Sequence, residues 1–262
     1  MADLLHGRFV WSELMTTDAK AAARFYAKVV GWTTQPFPGS ETSDTPYTLW
    51  MAGEHSVGGL MAMPEEMKAS GAPSSWTVYV GVRDADAVSA RVLSLGGKVV
   101  VPPSDIPKVG RFAVLSDPQG ACFAILQPDG PSPVGPDAAP APLEISWREL
   151  ATTDVAAATA FYKALFGWEM RKANDMGPMG IYQEFGRFGH SLGGVYKKPA
   201  DMKAPPHWLL YAKVPDLQAA VAAVKAEHGQ VLNGPMEVPG GDLVAQIQDP
   251  QGAAFALHQA KS

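Results

Sequence analysis

The sequence predicts an α+β protein made of four βαβββ modules, arranged as two similar domains in tandem. Three observations lead to this prediction. The chain repeats its own motifs at an almost constant offset, strand-like and helix-like segments alternate in the order βαβββ, and a proline-rich stretch separates the two repeats. Because the period is far longer than that of short-repeat proteins, it favours two globular domains over a solenoid.

The repeat is visible in four pairs of motifs that keep their order along the chain. WSELMTTD (Trp11–Asp18) returns as WRELATTD after 136 residues, and RFYAKVVGW (Arg24–Trp32) returns as AFYKALFGW at the same offset. HSVGGLM (His55–Met61) returns as HSLGGVY at an offset of 135, and SDPQGACFAIL (Ser116–Leu126) returns as QDPQGAAFALH at an offset of 132. A tandem duplication with small loop deletions explains this pattern.

The duplication sets the predicted domain bounds. We expect a first domain over residues 5–128, a linker over residues 129–141 and a second domain over residues 142–260. The segment PDGPSPVGPDAAPAP (Pro128–Pro142) has no apolar periodicity, and its proline content is typical of a semi-rigid linker.

The elements of the first domain follow from its local signals. A strand is predicted over Phe9–Met15, and Asp18 can cap a helix that ends at Gly31. Asp84 can begin a second helix, which ends at the pair Gly96–Gly97. The other apolar runs predict strands over Trp32–Phe37, Tyr47–Ala52, Val57–Met63, Trp76–Val82, Lys98–Val101, Phe112–Leu115 and Cys122–Leu126.

Composition argues against several classes of function. A net charge of −5 disfavours binding to nucleic acids or anionic membranes, which requires a basic surface. No apolar run approaches the roughly 18 residues of a membrane span, and the first residues lack the features of a signal peptide. The single cysteine, Cys122, excludes an intrachain disulfide and any CxxC motif. We therefore expect a cytoplasmic protein with no nucleic-acid or membrane partner.

The motifs TTDAKAAARFYAKVVGW, VRDADAVSARVLSLGG and SDPQGACFAIL, with their second-copy counterparts, resemble the vicinal oxygen chelate superfamily. This superfamily includes glyoxalase I, extradiol dioxygenases and bleomycin-resistance proteins, and the chain is most similar to a two-domain glyoxalase-like branch. The resemblance covers nearly the whole chain. It implies tandem glyoxalase-like domains with cupped mixed sheets and helices on the convex side. It also implies clefts in which the first module of one domain faces the second module of the other.

The resemblance further implies four metal-ligand positions per site, which enzymes of the superfamily fill with His, Gln or Glu. None of the residues at these positions is a serviceable metal ligand. They are Trp11, Gly59, Thr77 and Ala124 in the first copy, and Trp147, Gly194, Leu209 and Ala256 in the second. We therefore expect no metal and no other cofactor.

The candidate ligand-binding residues start from the first-strand position. Trp11 and Trp147 are either core residues or a stacking wall for a planar ligand. Glu13 and Glu149 share a strand face with these tryptophans, and each either contacts a ligand, has an internal ion-pairing or capping role, or lies solvated at the strand end. The further predicted ligand-binding residues are His55, His190, Trp76, Trp208, Thr77, Leu209, Ala124 and Ala256.

Four side chains carry other reactive groups. His258 replaces the Leu126 of the first copy and is expected in the cleft with Glu13, where a carboxylate and a neutral imidazole can form an acid–base pair. An exposed histidine on a fraying C-terminal strand is the alternative. Both His55 and His190 open a turn-like HS-[VL]-GG motif, so they act either in the turn or in the cleft. We expect Cys122 to be a small buried residue rather than a nucleophile.

Two functional hypotheses remain from different classes. One is a metal-independent protein that binds a small aromatic or cationic molecule, as a monomeric fused pseudo-dimer or as a homodimer. The other is a metal-independent lyase, isomerase or hydroxylase-type enzyme that uses Glu13 with His258 or Glu149 as acid and base. A metal-dependent glyoxalase is a weaker alternative that requires other ligand positions. We expect the cleft with Trp11 and Glu13 to be the principal site, since only that cleft combines a carboxylate with an imidazole.

Overall fold

The structure is a computed structural model, which describes residues 4–40, 46–130 and 139–261. Residues 131–138, which form most of the predicted linker, lie outside the described residues. The linker and the domain bounds at 5–128 and 142–260 therefore stay predictions.

The first repeat matches the predicted order of elements. Its strands are β1 (Phe9–Thr16), β2 (Thr33–Pro36), β3 (Tyr47–Ala52), β4 (His55–Ala62), β5 (Ser75–Gly81), β6 (Lys98–Ile106), β7 (Gly110–Ser116) and β8 (Cys122–Pro128). Its helices are α1 (Ala19–Val29), α2 (Glu65–Ala69) and α3 (Ala85–Ser94). The short helix α2 lies where the sequence predicts no helix, and β6 extends five residues past its predicted end at Val101.

The second repeat has the same order without a counterpart of α2 in the described residues. Its strands are β9 (Ile145–Thr152), β10 (Glu169–Asp175), β11 (Ile181–Arg187), β12 (His190–Lys197), β13 (His207–Lys213), β14 (Gln230–Glu237), β15 (Leu243–Gln248) and β16 (Ala254–Gln259). Its helices are α4 (Val155–Phe166) and α5 (Leu217–Ala226), and a short 3-10 turn spans Gly177–Met179.

Each repeat contributes one eight-stranded mixed sheet. The strand order is β2-β3-β4-β1-β5-β8-β7-β6 in the first sheet and β10-β11-β12-β9-β13-β16-β15-β14 in the second. The first strand of each module pairs in parallel with its last strand, as β1 does with β4 and β5 with β8, and the outer strands form antiparallel hairpins. This topology confirms the predicted α+β class and the four βαβββ modules. No helix in the described part of the chain is long and apolar enough to cross a membrane.

The helices of the four modules begin in the same way. The carboxylate of Asp18 accepts a hydrogen bond from the Ala21 N–H at 2.9 Å, and Asp84 caps α3 equivalently. Asp154 and Asp216 cap α4 and α5. Each cap satisfies one of the N–H groups that the first helical turn leaves without a partner. The predicted helix starts at Asp18 and Asp84 are thus confirmed.

The chain divides into two compact units, each of which takes segments from both repeats. One unit, called the β1 unit below, comprises Trp11–Thr77, Ala139–Ser146 and Leu209–Ser262. The other, called the β9 unit, comprises Met1–Val10, Val78–Ala138 and Trp147–Trp208. The first half of each repeat therefore shares a unit with the second half of the other repeat.

A buried hydrogen-bond network connects the two repeats inside the β1 unit. The Tyr26 hydroxyl on α1 donates to Asp249 Oδ2 at 3.2 Å and accepts from Trp76 Nε1 at 2.8 Å. The other oxygen of Asp249, Oδ1, accepts the N–H groups of Gln251 and Ala253, which closes the DPQG turn. The Tyr26 ring also packs against aromatic residues of both repeats, among them Trp76 and Phe255.

The β9 unit contains the same network with the repeats exchanged. The Tyr162 hydroxyl on α4 donates to Asp117 Oδ2 at 3.2 Å and accepts from Trp208 Nε1 at 3.2 Å. The carboxylate of Asp117 closes the first DPQG turn by accepting the N–H groups of Gln119 and Ala121. In both units, the tyrosine of the FY motif in one repeat therefore donates a hydrogen bond to the aspartate of the DPQG turn in the other repeat.

Burial dominates the electrostatics of this network. Desolvation raises the pKa of Asp249 above the ordinary value of an aspartate, and the hydrogen bonds from Ala253, Gln251 and Tyr26 offset part of the rise. Desolvation and the nearby Asp249 charge also raise the pKa of Tyr26, so the phenol stays protonated and keeps donating. The network depends on a neutral tyrosine placed between an indole and a carboxylate.

We predict that Tyr26→Phe destabilises the protein by about 1–3 kcal/mol, because it leaves Trp76 Nε1 and Asp249 Oδ2 without a buried partner. The substitution also removes a donor that lowers the pKa of Asp249, so this pKa should rise further. A carboxyl whose folded-state pKa lies above its unfolded value stabilises the fold at low pH, and this stabilisation is lost as pH rises through the folded pKa. The variant should therefore lose more stability at neutral pH than in acid.

Urea unfolding of the two proteins at several pH values measures this effect. Tyr162→Phe is the matched variant, since the β9 unit holds the same network. Equal unfolding free energies for the wild type and both variants at neutral pH would show that the network contributes nothing.

Candidate functional site

A second hydrogen-bonded chain lies on the strands β1, β3 and β4 of the β1 unit. The Trp11 Nε1 donates to the Tyr47 hydroxyl at 2.8 Å, and this hydroxyl donates to Glu13 Oε2 at 2.7 Å. The three side chains are half-buried. Because Trp11 and Glu13 are two residues apart on β1, strand alternation puts both side chains on the same face of the sheet. This confirms the geometric part of the sequence prediction and adds Tyr47 to it.

The β9 unit repeats this chain with the same residue types. The Trp147 Nε1 donates to the Tyr182 hydroxyl at 2.8 Å, and Tyr182 donates to Glu149 Oε1 at 2.9 Å. The Glu149 side chain is more enclosed, since the residue is only 8% exposed. We call the two arrangements the Trp–Tyr–Glu chains.

The direction of these hydrogen bonds is fixed by chemistry. An indole N–H can only donate, so the tyrosine oxygen must accept it and then donate its own proton to the carboxylate. Burial, followed by the charge of Glu13, raises the pKa of Tyr47, and burial followed by the charge of Glu149 does the same for Tyr182. Both phenols therefore stay neutral, and each chain ends on a carboxylate that accepts hydrogen bonds.

Each tyrosine lies over a glycine of the neighbouring strand. In the parallel ladder, Glu13 is the partner of Gly59, and Glu149 is the partner of Gly194. A Cβ atom built on Gly59 would overlap Oη and Cζ of Tyr47, and a Cβ on Gly194 would overlap the same atoms of Tyr182. The glycines therefore leave the space that the tyrosine hydroxyls fill.

This packing bears on the metal that the resemblance implies. The fourth-strand ligand position falls on Gly59 and Gly194, where a longer side chain would meet the tyrosine. The other expected positions carry indole, methyl, hydroxyl or aliphatic groups, which are poor ligands for Zn²⁺ or Fe²⁺. Among the described residues, no group of three or more His, Cys, Asp and Glu side chains could hold a metal ion. The residues at this site do not fit the metal of the superfamily's enzymes.

The remaining predicted site residues fall into two groups. Trp76 and Trp208 lie in the aromatic cores, where their indole nitrogens bind Tyr26 and Tyr162. The others on the fifth and eighth strands are mostly enclosed: Leu209, Ala124 and Ala256 are buried, and Thr77 is half-buried. The structure gives the two tryptophans a packing role.

The exposed candidates lie at strand starts. His55 begins β4 and His190 begins β12, and both are exposed to solvent. Cys122 begins β8 and is also exposed, so the prediction of a buried cysteine was wrong. It follows the tight turn at Gly120, which brings the side chain to the surface.

The side chain of His258 is held by a separate network. Its Nδ1 lies 2.8 Å from the Ser146 hydroxyl oxygen, and its Nε2 lies 3.0 Å from Asp242 Oδ2. Since both ring nitrogens have these partners, the imidazole is not placed as the acid–base partner of Glu13. The reason for ranking the Trp11 site above the Trp147 site is thereby removed.

The predicted composition of the clefts agrees with the division into compact units. The predicted cleft of Trp11 and Glu13 combines β1 and β4 with β13 and β16; these strands belong to different sheets, but Trp11–Thr77 and Leu209–Ser262 lie in the same unit. The predicted cleft of Trp147 and Glu149 combines the other two modules, and Val78–Ala138 and Trp147–Trp208 likewise share a unit. Ligand binding in either cleft stays a prediction.

The tyrosines are the functional candidates that the sequence analysis missed. Tyr47 and Tyr182 are 135 residues apart, which is the offset of the HSVGG and HSLGG motifs that follow them. The repeat therefore contained a signal, namely the same aromatic residue at the same place in both copies. The hydrogen bonds to Glu13 and Glu149 could not be read from it.

We predict that Gly59→Ala displaces the Tyr47 ring and costs about 1–3 kcal/mol, as overpacking in a filled site does. In a Tyr47→Ala background, the added methyl has room, so the same glycine substitution should cost much less. A double-mutant cycle by chemical unfolding measures the coupling. Additive effects of the two substitutions would contradict the proposed packing.

Comparison with known proteins identifies the family. Residues 11–126 match the glyoxalase-like domain, and residues 144–257 match the Glyoxalase/Bleomycin resistance protein/Dioxygenase superfamily. The chain is 31% identical over 249 residues to "Putative glyoxylase CFP32" of Mycobacterium tuberculosis, and this alignment covers 94% of this chain and 92% of that protein. It is 31% identical over 260 residues to "Anthracycline biosynthesis protein DnrV" of Streptomyces peucetius, and this alignment covers 96% of this chain and 92% of that protein.

Solved structures share the fold at low sequence identity. The Mn(II)-bound glyoxalase from Novosphingobium aromaticivorans superposes with a TM-score of 0.62 at 16% identity, over 97% of this chain and 82% of that chain. The 2,3-dioxygenase LapB from Pseudomonas sp. KL28 gives a TM-score of 0.63 at 15% identity, over 98% of this chain and 94% of that chain. The sequence matches, with this fold, show that the chain belongs to the Glyoxalase/Bleomycin resistance protein/Dioxygenase superfamily.

Proposed function

We propose that the protein binds a small aromatic molecule at the Trp–Tyr–Glu chains, without a metal ion. The observation that carries this proposal is the tyrosine hydroxyl that lies over Gly59 and over Gly194. At these two positions, enzymes of the superfamily are expected to carry a side chain that binds the metal. The site offers aromatic faces and a single carboxylate acceptor instead of a set of metal-binding groups. Pockets of this composition, with apolar walls and a few fixed polar groups, are typical of small-molecule binding.

The polar end of each chain selects the ligand chemistry. The Trp and Tyr donors are already used within the chain, so we assign recognition to the carboxylate of Glu13 or Glu149, in addition to the contacts that each carboxylate already makes within the protein. A carboxylate binds hydroxyl or amine donors of a ligand, and it repels ligand oxygens that carry negative charge. The indoles of Trp11 and Trp147 supply flat apolar surface for a planar ring.

The names of relatives support a ligand of this class. DnrV is named for anthracycline biosynthesis, and anthracyclines carry a planar ring system with phenolic hydroxyls. We propose a polycyclic phenol as the ligand class for this chain as well. An acid–base enzyme that pairs Glu13 with His258 has less support, because Ser146 and Asp242 hold the imidazole.

Titration with quinizarin, a planar dihydroxyanthraquinone, tests the proposal. We expect binding that quenches tryptophan fluorescence. The double variant Glu13→Gln/Glu149→Gln should weaken it by about 1–3 kcal/mol, or roughly 5- to 150-fold in Kd, because an amide is a weaker acceptor than a carboxylate. Glu65→Gln on α2 is the control for charge, since Glu65 is exposed and paired with Lys68. No binding, or equal Kd values for all three proteins, would refute the proposal.

The absence of a metal is a separate prediction. Because the positions around Gly59 and Gly194 offer no donor set, purified protein dialysed against buffer should retain no stoichiometric Zn²⁺, Ni²⁺, Mn²⁺ or Fe²⁺. Elemental analysis by mass spectrometry measures this. A metal bound at one equivalent per chain and lost in Glu13→Gln or Glu149→Gln would overturn the prediction.

A further inference from the structure

The two Trp–Tyr–Glu chains have different neighbours. On β12, Tyr196 stands where β4 has Met61, and on β11, Glu184 stands where β3 has Leu49. The ladder confirms this correspondence, since Glu184 pairs with Gly194 as Leu49 pairs with Gly59. The duplicated scaffold thus keeps the chain itself and changes two side chains beside it.

The first of these differences adds an aromatic surface. The rings of Tyr182 and Tyr196 are nearly parallel, with centroids 6.4 Å apart and an interplanar angle of 15°. Tyr196 is half-buried, and its hydroxyl has no hydrogen-bond partner among the described residues. Since Gly194 and Tyr196 are two residues apart on β12, the Tyr196 ring lies on the same sheet face as the Tyr182 ring over Gly194.

The second difference adds negative charge. Glu184 is held by Asn174 Nδ2 at 3.1 Å and by the Ser191 hydroxyl at 3.1 Å. Burial raises the pKa of Tyr182 most, and the charges of Glu149 and Glu184 raise it further; burial followed by the charge of Glu149 raises the pKa of Tyr196. The Tyr182 hydroxyl therefore lies near two carboxylates, and the Tyr196 hydroxyl lies near the charge of Glu149. At the equivalent positions on β1 and β3, the described residues are Glu13 and the neutral Leu49.

Aromatic faces beside carboxylates are suited to one class of ligand. A cation is attracted to the negative face of a tyrosine ring and to a carboxylate, and a ligand anion is repelled by both. An alkylated ammonium group gains most from this arrangement, because its alkyl groups make it less strongly hydrated and contact the ring carbons. The Tyr196 hydroxyl, which has no hydrogen-bond partner in the described part of the chain, can donate a hydrogen bond to the same molecule or accept one from it.

We propose that the Trp147–Tyr182–Glu149 site, with Tyr196 and Glu184 as its specificity-determining residues, binds the cationic amine of an aromatic ligand. The corresponding site at Trp11, Tyr47 and Glu13 favours cations less strongly, because Met61 and Leu49 stand there in place of the second tyrosine and the second carboxylate. This proposal rests on the proposed function, since it assigns a ligand class to one of the same two sites.

The test uses two probes of equal shape, N-methylquinolinium and quinoline, which is uncharged at neutral pH. Titration calorimetry at low salt should show that the cation binds roughly 5- to 30-fold more tightly than quinoline, as cation–aromatic attraction in a partly desolvated site predicts. Tyr196→Met and Glu184→Leu, which copy the first repeat, should each weaken binding of the cation by a larger factor than binding of quinoline, and so reduce this ratio. A purely structural role of the two residues would change both affinities together.

The reverse substitutions test whether the first site can gain affinity for the cation. The double variant Leu49→Glu/Met61→Tyr gives the first site the residue types of the second, and it should raise the affinity of the first site for N-methylquinolinium toward that of the second. Equal affinities for the two probes, or an unchanged ratio in Tyr196→Met and Glu184→Leu, would overturn the inference. If quinizarin binds and neither quinoline compound does, the cation site is refuted alone; if none of the three binds, the proposed function fails with it.

Discussion

The fold of each unit depends on a buried tyrosine hydroxyl held between an indole and an aspartate. Tyr26 bridges Trp76 and Asp249, and Asp249 in turn closes its DPQG turn through backbone N–H groups. Since Tyr26 belongs to the first repeat and Asp249 to the second, this contact connects chain segments more than 200 residues apart. An unpaired carboxylate at this depth would be costly, so the halves of the repeats must meet correctly before the aspartate is satisfied.

The same sequence of groups recurs at the candidate site. Trp11 donates to Tyr47, which donates to Glu13, as Trp76 donates to Tyr26, which donates to Asp249. The difference lies in burial and in the acid. In the core the tyrosine is fully buried and the aspartate also binds its own turn. At the site the tyrosine is half-buried and the acid is a glutamate on a strand. One hydrogen-bonding pattern therefore occurs both in the fully buried core and at the half-buried candidate site.

Much of the fold could be predicted from the sequence because its signals are local. The caps at Asp18 and Asp84, the strand at Phe9 and the duplication each depend on residues close in the chain or on a constant offset. The short helix α2 was missed because Pro64 and the glutamates after it give no apolar periodicity. The exposed position of Cys122 was missed because a small apolar neighbourhood in the sequence does not fix which way a strand begins.

The site was only half predictable for a related reason. Alternation along β1 placed Trp11 and Glu13 on one face, which needs no knowledge of any other strand. The tyrosine arrives from β3 and passes over a glycine of β4, so its position depends on the ladder between strands. The pairing of His258 with Ser146 and Asp242 likewise depends on three separate segments. Contacts of this kind lie outside what local pattern and composition determine.

The duplication also explains how one site can change while the fold remains intact. Gly59 and Gly194 are constrained, because any side chain there meets a tyrosine, and the Trp–Tyr–Glu chains are constrained with them. The residues beside the chains do not have this constraint. Met61 and Leu49 in the first repeat are replaced by Tyr196 and Glu184 in the second repeat, in the same register. Selection on ligand chemistry can therefore act on these two positions without disturbing the hydrogen bonds beneath them. Divergence between the copies is expected to appear first at such positions, and that is where the two sites differ in aromatic surface and charge.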